Sequence, residues 1–143
     1  LAAVVRRDAA LRLPLLRERL DRAESADEIV DELVASLQHT VRDDPEFVTV
    51  TLELFALARR HPEVATELEA LLGRMRSEVG EVLAAKERAG IVALAAPPEV
   101  LAGLLFAVGD GAAMRMLAEP ERDPAPLLAA CRDAVRPLLG ARG

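Results

Sequence analysis

Side chains that could do chemistry are few in this chain and lie far apart. There are two histidines, His39 and His61, and one cysteine, Cys131. A zinc site or a Cys–His catalytic pair needs such residues at characteristic spacings, and no C-x-x-C, H-E-x-x-H or G-x-S-x-G motif is present. Arg59, Arg60 and the many glutamates recur at helical spacing, which is typical of solvated helix faces. We therefore predict no catalytic residue, no metal and no cofactor; a small all-α enzyme that uses arginine and glutamate stays an alternative.

The composition narrows the class of protein further. The chain has 143 residues, which is enough for one domain. Hydrophobic residues make up 52% of it and aromatic residues 2%, so its core must be aliphatic. The net charge of −6 argues against direct binding to nucleic acid, which needs a basic surface. With one cysteine no internal disulfide can form, which fits a cytoplasmic protein. We expect no membrane contact, because no apolar run looks long and uncharged enough to span a bilayer.

The stretch from Pro97 to Pro124 predicts the helix that organises the fold. Its interior contains Gly103, Gly109 and Gly111, and each helical glycine costs about 1 kcal/mol relative to alanine. Close approach of another helix is the usual compensation, because a missing Cβ lets two backbones come near. Apolar residues surround most of this helix. We infer that it contacts its own domain on one side and a second copy of the protein on the other.

Capping signals and apolar periodicity predict five further helices, at 1–23, 26–42, 45–60, 62–89 and 124–139. Ser25 and Glu28 form a capping box, while Pro14 should kink or divide the first helix. The run 48–54 alternates and is β-branched, which is typical of a strand. The Asp44-Pro45 start and the lack of a partner strand favour a helix there. The sequence thus predicts an all-α, six-helix orthogonal bundle over residues 1–143.

Several short motifs occur in the same order as in one protein family. They are LARRHPEV at 57–64, AGIV at 89–92, PEVLA at 98–102, VGDGA at 108–112 and EP at 119–120. Over essentially its whole length the chain resembles the C-terminal regulatory domain of TetR-family transcriptional repressors. The resemblance implies a homodimer in which the last two helices form a four-helix bundle. It also implies an internal effector pocket and an N-terminal helix-turn-helix that binds operator DNA. Residues 1–143 do not include such a basic module, so we expect DNA binding of a longer parent protein.

The predicted effector pocket lies among the helices at 26–42, 45–60, 62–89 and 97–119. Its candidate lining residues are Leu37, His39, Phe47, Thr51, Phe55, Met75, Val79, Phe106 and Asp110. The apolar members would enclose a small apolar effector, and His39 and Thr51 would orient it. Asp110 would either reach the cavity or form a hydrogen bond where helices meet. The alternative is that these residues are ordinary core of a helical dimerisation module without a ligand.

The apolar surface of the last two helices is too large for a monomer to expose, which predicts two-fold pairing. The candidate interface residues are Leu101, Leu105, Val108, Ala112, Arg115, Met116, Leu127, Leu128, Cys131 and Val135. In the predicted mechanism the effector favours one arrangement of the helices around 45–89. The first helix then passes the shift to the DNA-binding modules, which no longer match the operator half-sites.

Overall fold

The computed structural model describes residues 2–140, without the side chains of Ala2, Val4 and Asp8. Leu1, the predicted start of the first helix, and the side chain of Val4 lie outside that part. The described chain is entirely helical, without a strand, and the six helices are α1 (Ala2–Arg22), α2 (Ala26–Asp43), α3 (Pro45–Ala58), α4 (Pro62–Arg88), α5 (Pro98–Ala118) and α6 (Ala125–Val135). A short 3-10 helix, Arg136–Leu139, follows α6. The predicted all-α fold with six helices is confirmed.

Local hydrogen bonds fix where α2 and α3 begin. The Ser25 hydroxyl accepts from the Glu28 amide at 3.1 Å, and the Glu28 carboxylate accepts from the Glu24 amide at 2.6 Å. The Asp44 carboxylate accepts from the Phe47 amide at 3.2 Å, and Pro45 occupies the first turn. Both predicted helix starts are therefore confirmed.

The ambiguous run 48–54 is helical. The Thr51 hydroxyl donates to the Phe47 carbonyl at 2.8 Å, and the Thr49 hydroxyl donates to the Pro45 carbonyl at 3.1 Å. These bonds to the preceding turn satisfy side chains that otherwise favour strands. Pro14, for its part, does not divide α1: the helix continues through it, and the proline is exposed.

Helices α4 and α5 pack closely along each other, and two glycines mark where they meet. A Cβ at Gly80 would lie 3.3 Å from the backbone nitrogen of Glu99, and one at Gly103 would lie 3.1 Å from Cδ of Arg76. Gly103 therefore serves contact within the subunit. Helix α5 also contacts α2, α3 and α6.

Helix α5 also corrects the expectation that no segment could span a membrane. It has a mean hydropathy of 1.6 and is long and apolar enough to do so, the one such helix in the described part of the chain. Length and composition of this kind also occur in packed helices of proteins that meet no membrane. The contacts of α5 with four other helices account for the apolar residues on its inward side.

The buried side chains form two clusters. The larger joins the second half of α1 to α2, α4, α5, α6 and the 3-10 helix, and Leu20, Ile29, Leu83, Leu101 and Leu139 are almost completely buried in it. The smaller joins α1, α3 and the first half of α4 through Val5, Ala9, Leu54, Leu68 and Leu71. Met75 packs against both clusters.

Two polar contacts fasten the second half of α1 to α4. Lys86, the only lysine of the chain, is buried, and its Nζ donates to the Asp21 carbonyl at 2.5 Å and the Ala23 carbonyl at 2.7 Å. These carbonyls lie at the C-terminal end of α1, where the helix dipole favours a positive charge. Arg17 forms ion pairs with Glu78 and Glu81.

Candidate ligand cavity

A cavity of about 220 Å³ lies where the two core clusters meet, with side chains of all six α-helices in its wall. The smaller cluster contributes Ala9, the larger contributes Leu13 and Val79, and Met75 belongs to the boundary between them. Most of the wall is aliphatic. A predominantly apolar, partly enclosed space with a few polar groups is the usual form of a small-molecule site.

Seven of the nine predicted pocket residues line this cavity: Leu37, Phe47, Thr51, Met75, Val79, Phe106 and Asp110. His39 and Phe55 lie outside it. His39 is exposed on the outer side of α2, and its Nδ1 lies 2.8 Å from the Asp43 carboxylate one turn later. Phe55 is 38% exposed, because the adjacent Leu54 takes the core-facing position of α3. Whether the seven bind a ligand stays a prediction.

Helices α1 and α6 also contribute to the wall, which the sequence reasoning missed. From α1 come Ala9, Arg12, Leu13 and Leu16, and from α6 come Leu128, Cys131, Arg132 and Val135. The apolar stripes of both helices were visible in the sequence, but a stripe does not say which neighbour it meets. The tertiary packing determines which helices border the cavity, and apolar periodicity does not predict that packing.

The predicted dimer residues need a corresponding correction. Five of them are buried inside the subunit and have no surface to offer a partner: Leu101, Leu105, Ala112, Leu128 and Val135. Val108, Met116 and Cys131 are half-buried, and Val108 and Cys131 face the cavity, while Arg115 and Leu127 are exposed. The residues of α5 that face outward recur at spacings of three and four, and we call them the outward stripe: Val100, Leu104, Ala107, Gly111 and Met114.

Two of the three charged side chains in the cavity wall have acidic partners. The Arg12 guanidinium lies 4.5 Å from the centroid of the Phe47 ring and forms an ion pair with Asp44. Arg132 Nε donates to the Asp31 carboxylate at 3.0 Å. Each arginine is thus held at the edge of the cavity by a carboxylate on α2 or at the start of α3.

The third charged side chain, Asp110, has no ion pair and no side-chain hydrogen bond with any described residue. Burial raises its pKa from 3.8 to about 6, because a carboxylate is poorly solvated there. Three residues with hydroxyl groups, Ser36, Thr40 and Thr51, also line the cavity. Thr51 donates to the Phe47 carbonyl, and Thr40 donates to the Ser36 carbonyl at 2.9 Å. Since their protons are already used, these threonines can offer a ligand only acceptor oxygens.

Gly109, next to Asp110, has open space where a side chain would lie. A Cβ added at this position would meet no atom within 4 Å, although the residue lies in the wall. The structure therefore gives no packing reason for this glycine within the subunit. Among the side chains that the structure describes, no three or more from His, Cys, Asp or Glu cluster closely enough to bind a metal ion.

Comparison with known proteins identifies the family of this chain. The family model described as the tetracyclin repressor-like C-terminal domain matches residues 24–141, more than four fifths of the chain. No curated protein and no solved structure matches the chain significantly. Because the family match covers five of the six helices in full, the chain belongs to the tetracyclin repressor-like C-terminal domain family, whose members sense ligands and dimerise in transcriptional regulators.

Proposed function

We propose that this domain is the effector-sensing and dimerisation part of a cytoplasmic transcriptional repressor. A small, mostly apolar effector would fill the cavity and release the parent protein from operator DNA. The observation that carries the proposal is the cavity itself, because its apolar wall is formed by all six helices. An occupant would contact α1 directly through Leu13 and Leu16, so binding could change the position of that helix.

The test of effector sensing is a thermal-shift screen of small apolar compounds, followed by operator release in the parent protein. A ligand at one hundred times its Kd should stabilise the domain by about 2.7 kcal/mol. The matched control is a variant in which Ala113 is replaced by phenylalanine to fill the cavity, and it should lose the thermal shift. Absence of any stabiliser would favour a dimerisation module without a ligand. A tight ligand that leaves operator affinity unchanged would refute the switch.

We also propose that the outward stripe of α5, with the exposed Leu127 of α6, forms the dimer interface. Val100 is 61% exposed, Leu104 44% and Met114 46%, which is unusual for large apolar side chains on one helix face. Their spacing of three and four residues is that of packed helix pairs. Gly111 in the stripe would meet nothing if it carried a Cβ, so the subunit alone does not explain it. Two-fold pairing of two stripes would also match a palindromic operator.

A further inference from the structure

The charges in the cavity wall are not equivalent. Arg12 and Arg132 are each neutralised by a carboxylate, whereas Asp110 is not neutralised by any described residue. The guanidinium groups of Arg12 and Arg132 already face carboxylates, so an anionic ligand would approach Asp44 or Asp31 as well and be repelled by them. A cationic ligand would displace nothing. The net charge of −6 acts in the same direction, because it attracts cations to the domain.

The local sequence explains why Asp110 finds no partner. On a helix, a carboxylate can pair with residues three or four positions away, and those positions are occupied by Phe106, Ala107, Ala113 and Met114. Arg115, five positions on, is exposed and forms no ion pair with Asp110. A carboxylate surrounded by apolar groups is costly unless a donor or cation approaches it. The raised pKa of Asp110 reflects the same cost.

We propose that the effector is a small lipophilic amine, whose ammonium group pairs with Asp110 and whose apolar body lies against Phe106, Leu37 and Val79. This assignment of ligand class rests on the proposed effector-sensing function of the cavity. At about 220 Å³ the space is below the ~300 Å³ typical of drug-sized sites, which suits one ring with a short chain. The threonine oxygens in the wall can act only as acceptors, which suits a ligand that carries hydrogen-bond donors.

Three probes with one carbon skeleton test the ligand class: phenylbutylamine, phenylbutanol and phenylbutyrate. Calorimetric titration of the full chain near pH 7.5 presents the amine as a cation and the acid as an anion. The amine should bind most tightly and the carboxylate most weakly. Asp110→Asn should weaken amine binding by about tenfold or more, while the affinity for the alcohol stays within about twofold. Asp110→Glu, which keeps the charge, should restore part of the amine affinity.

The matched control is Asp133→Asn, which removes one negative charge from the exposed side of α6, outside the cavity wall. It should leave all three affinities unchanged, which separates pairing with Asp110 from attraction by the net charge. If the alcohol binds as tightly as the amine, or Asp110→Asn leaves amine affinity intact, the ligand class is wrong and the cavity still senses apolar molecules. If no probe binds and no neutral compound of the broader screen does, the ligand class and the proposed function both fail. Circular dichroism confirms that each variant is folded.

Discussion

Replacing Asp110 with asparagine should make the ligand-free domain more stable near pH 7.5, although it should weaken binding of an amine. The pKa of this carboxyl rises from 3.8 to about 6 on folding, which corresponds to about 3 kcal/mol at roughly 1.4 kcal/mol per unit. Water still reaches part of the side chain, and the asparagine amide also loses hydration, so we expect a net gain of about 1–2 kcal/mol.

The sign follows from proton binding in the two states. Between pH 3.8 and about 6 the folded state holds the Asp110 proton more tightly than the unfolded state does. The contribution of this group to the free energy of unfolding therefore falls as the pH rises through that window. The destabilisation by the charge of Asp110 is absent below the pKa of Asp110 in the unfolded state and complete above its pKa in the folded state. The Asn variant has no such titration, so its advantage should be present near pH 7.5 and vanish near pH 3.5.

Urea unfolding followed by circular dichroism, at both pH values and one protein concentration, measures this difference. The concentration must be fixed because the proposed dimerisation would contribute to stability. Asp133→Asn is the control and should change the free energy of unfolding by less than about 0.5 kcal/mol. An Asn variant that is less stable than the parent near pH 7.5 would refute the reasoning. So would an advantage of equal size at both pH values, because it would not come from the charge of Asp110.

Three further predictions follow from single residues. Gly109→Ala should raise the free energy of unfolding by up to about 1 kcal/mol in urea, since its methyl group meets no atom, and calorimetry should show weaker binding of apolar probes. Lys86→Met should lower the free energy of unfolding by about 1–3 kcal/mol in the same assay, because the Asp21 and Ala23 carbonyls lose their donor; unchanged stability would contradict the role of that contact. Leu104→Glu should convert a dimer into a monomer in sedimentation velocity. Leu15→Glu, which changes an exposed leucine of α1, should not. A dimer that survives Leu104→Glu would place the interface elsewhere.

Helix starts were predictable because they depend on neighbours in sequence. Ser25 and Asp44 bond to amides three residues later, and Pro62 and Pro98 occupy first turns, so each signal and its structural consequence lie within one helical turn. Thr51 also bonds locally, because its hydroxyl donates to the Phe47 carbonyl one turn earlier in the helix. These interactions need no knowledge of the rest of the fold.

The orientation of α5 was not predictable from its pattern. This helix is apolar around most of its circumference, so periodicity does not indicate which side meets the subunit core. Leu101 and Leu105 face the core and Leu104 faces outward, yet the three side chains are chemically identical. Packing against α4 determines which side of α5 faces the core. This packing depends on the close approach of Gly80 to α5 and of Gly103 to α4. Likewise, a cavity is space that the packed helices leave unfilled, and no single segment encodes it.

Helix α1 is where an occupied cavity would act on the rest of a regulator. Its first half belongs to the smaller cluster through Val5 and Ala9, and its second half belongs to the larger cluster through Leu13 and Leu20. Lys86 and Arg17 hold the second half on α4, whereas the polar contact of the first half with α4 is one long, exposed ion pair between Arg6 and Glu67, at 3.8 Å. The cavity lies between the clusters, and Pro14, near that boundary, removes one backbone hydrogen bond. We therefore expect a ligand that bridges the clusters to move the first half of α1 relative to the fixed second half, by no more than its differential affinity for the two arrangements allows.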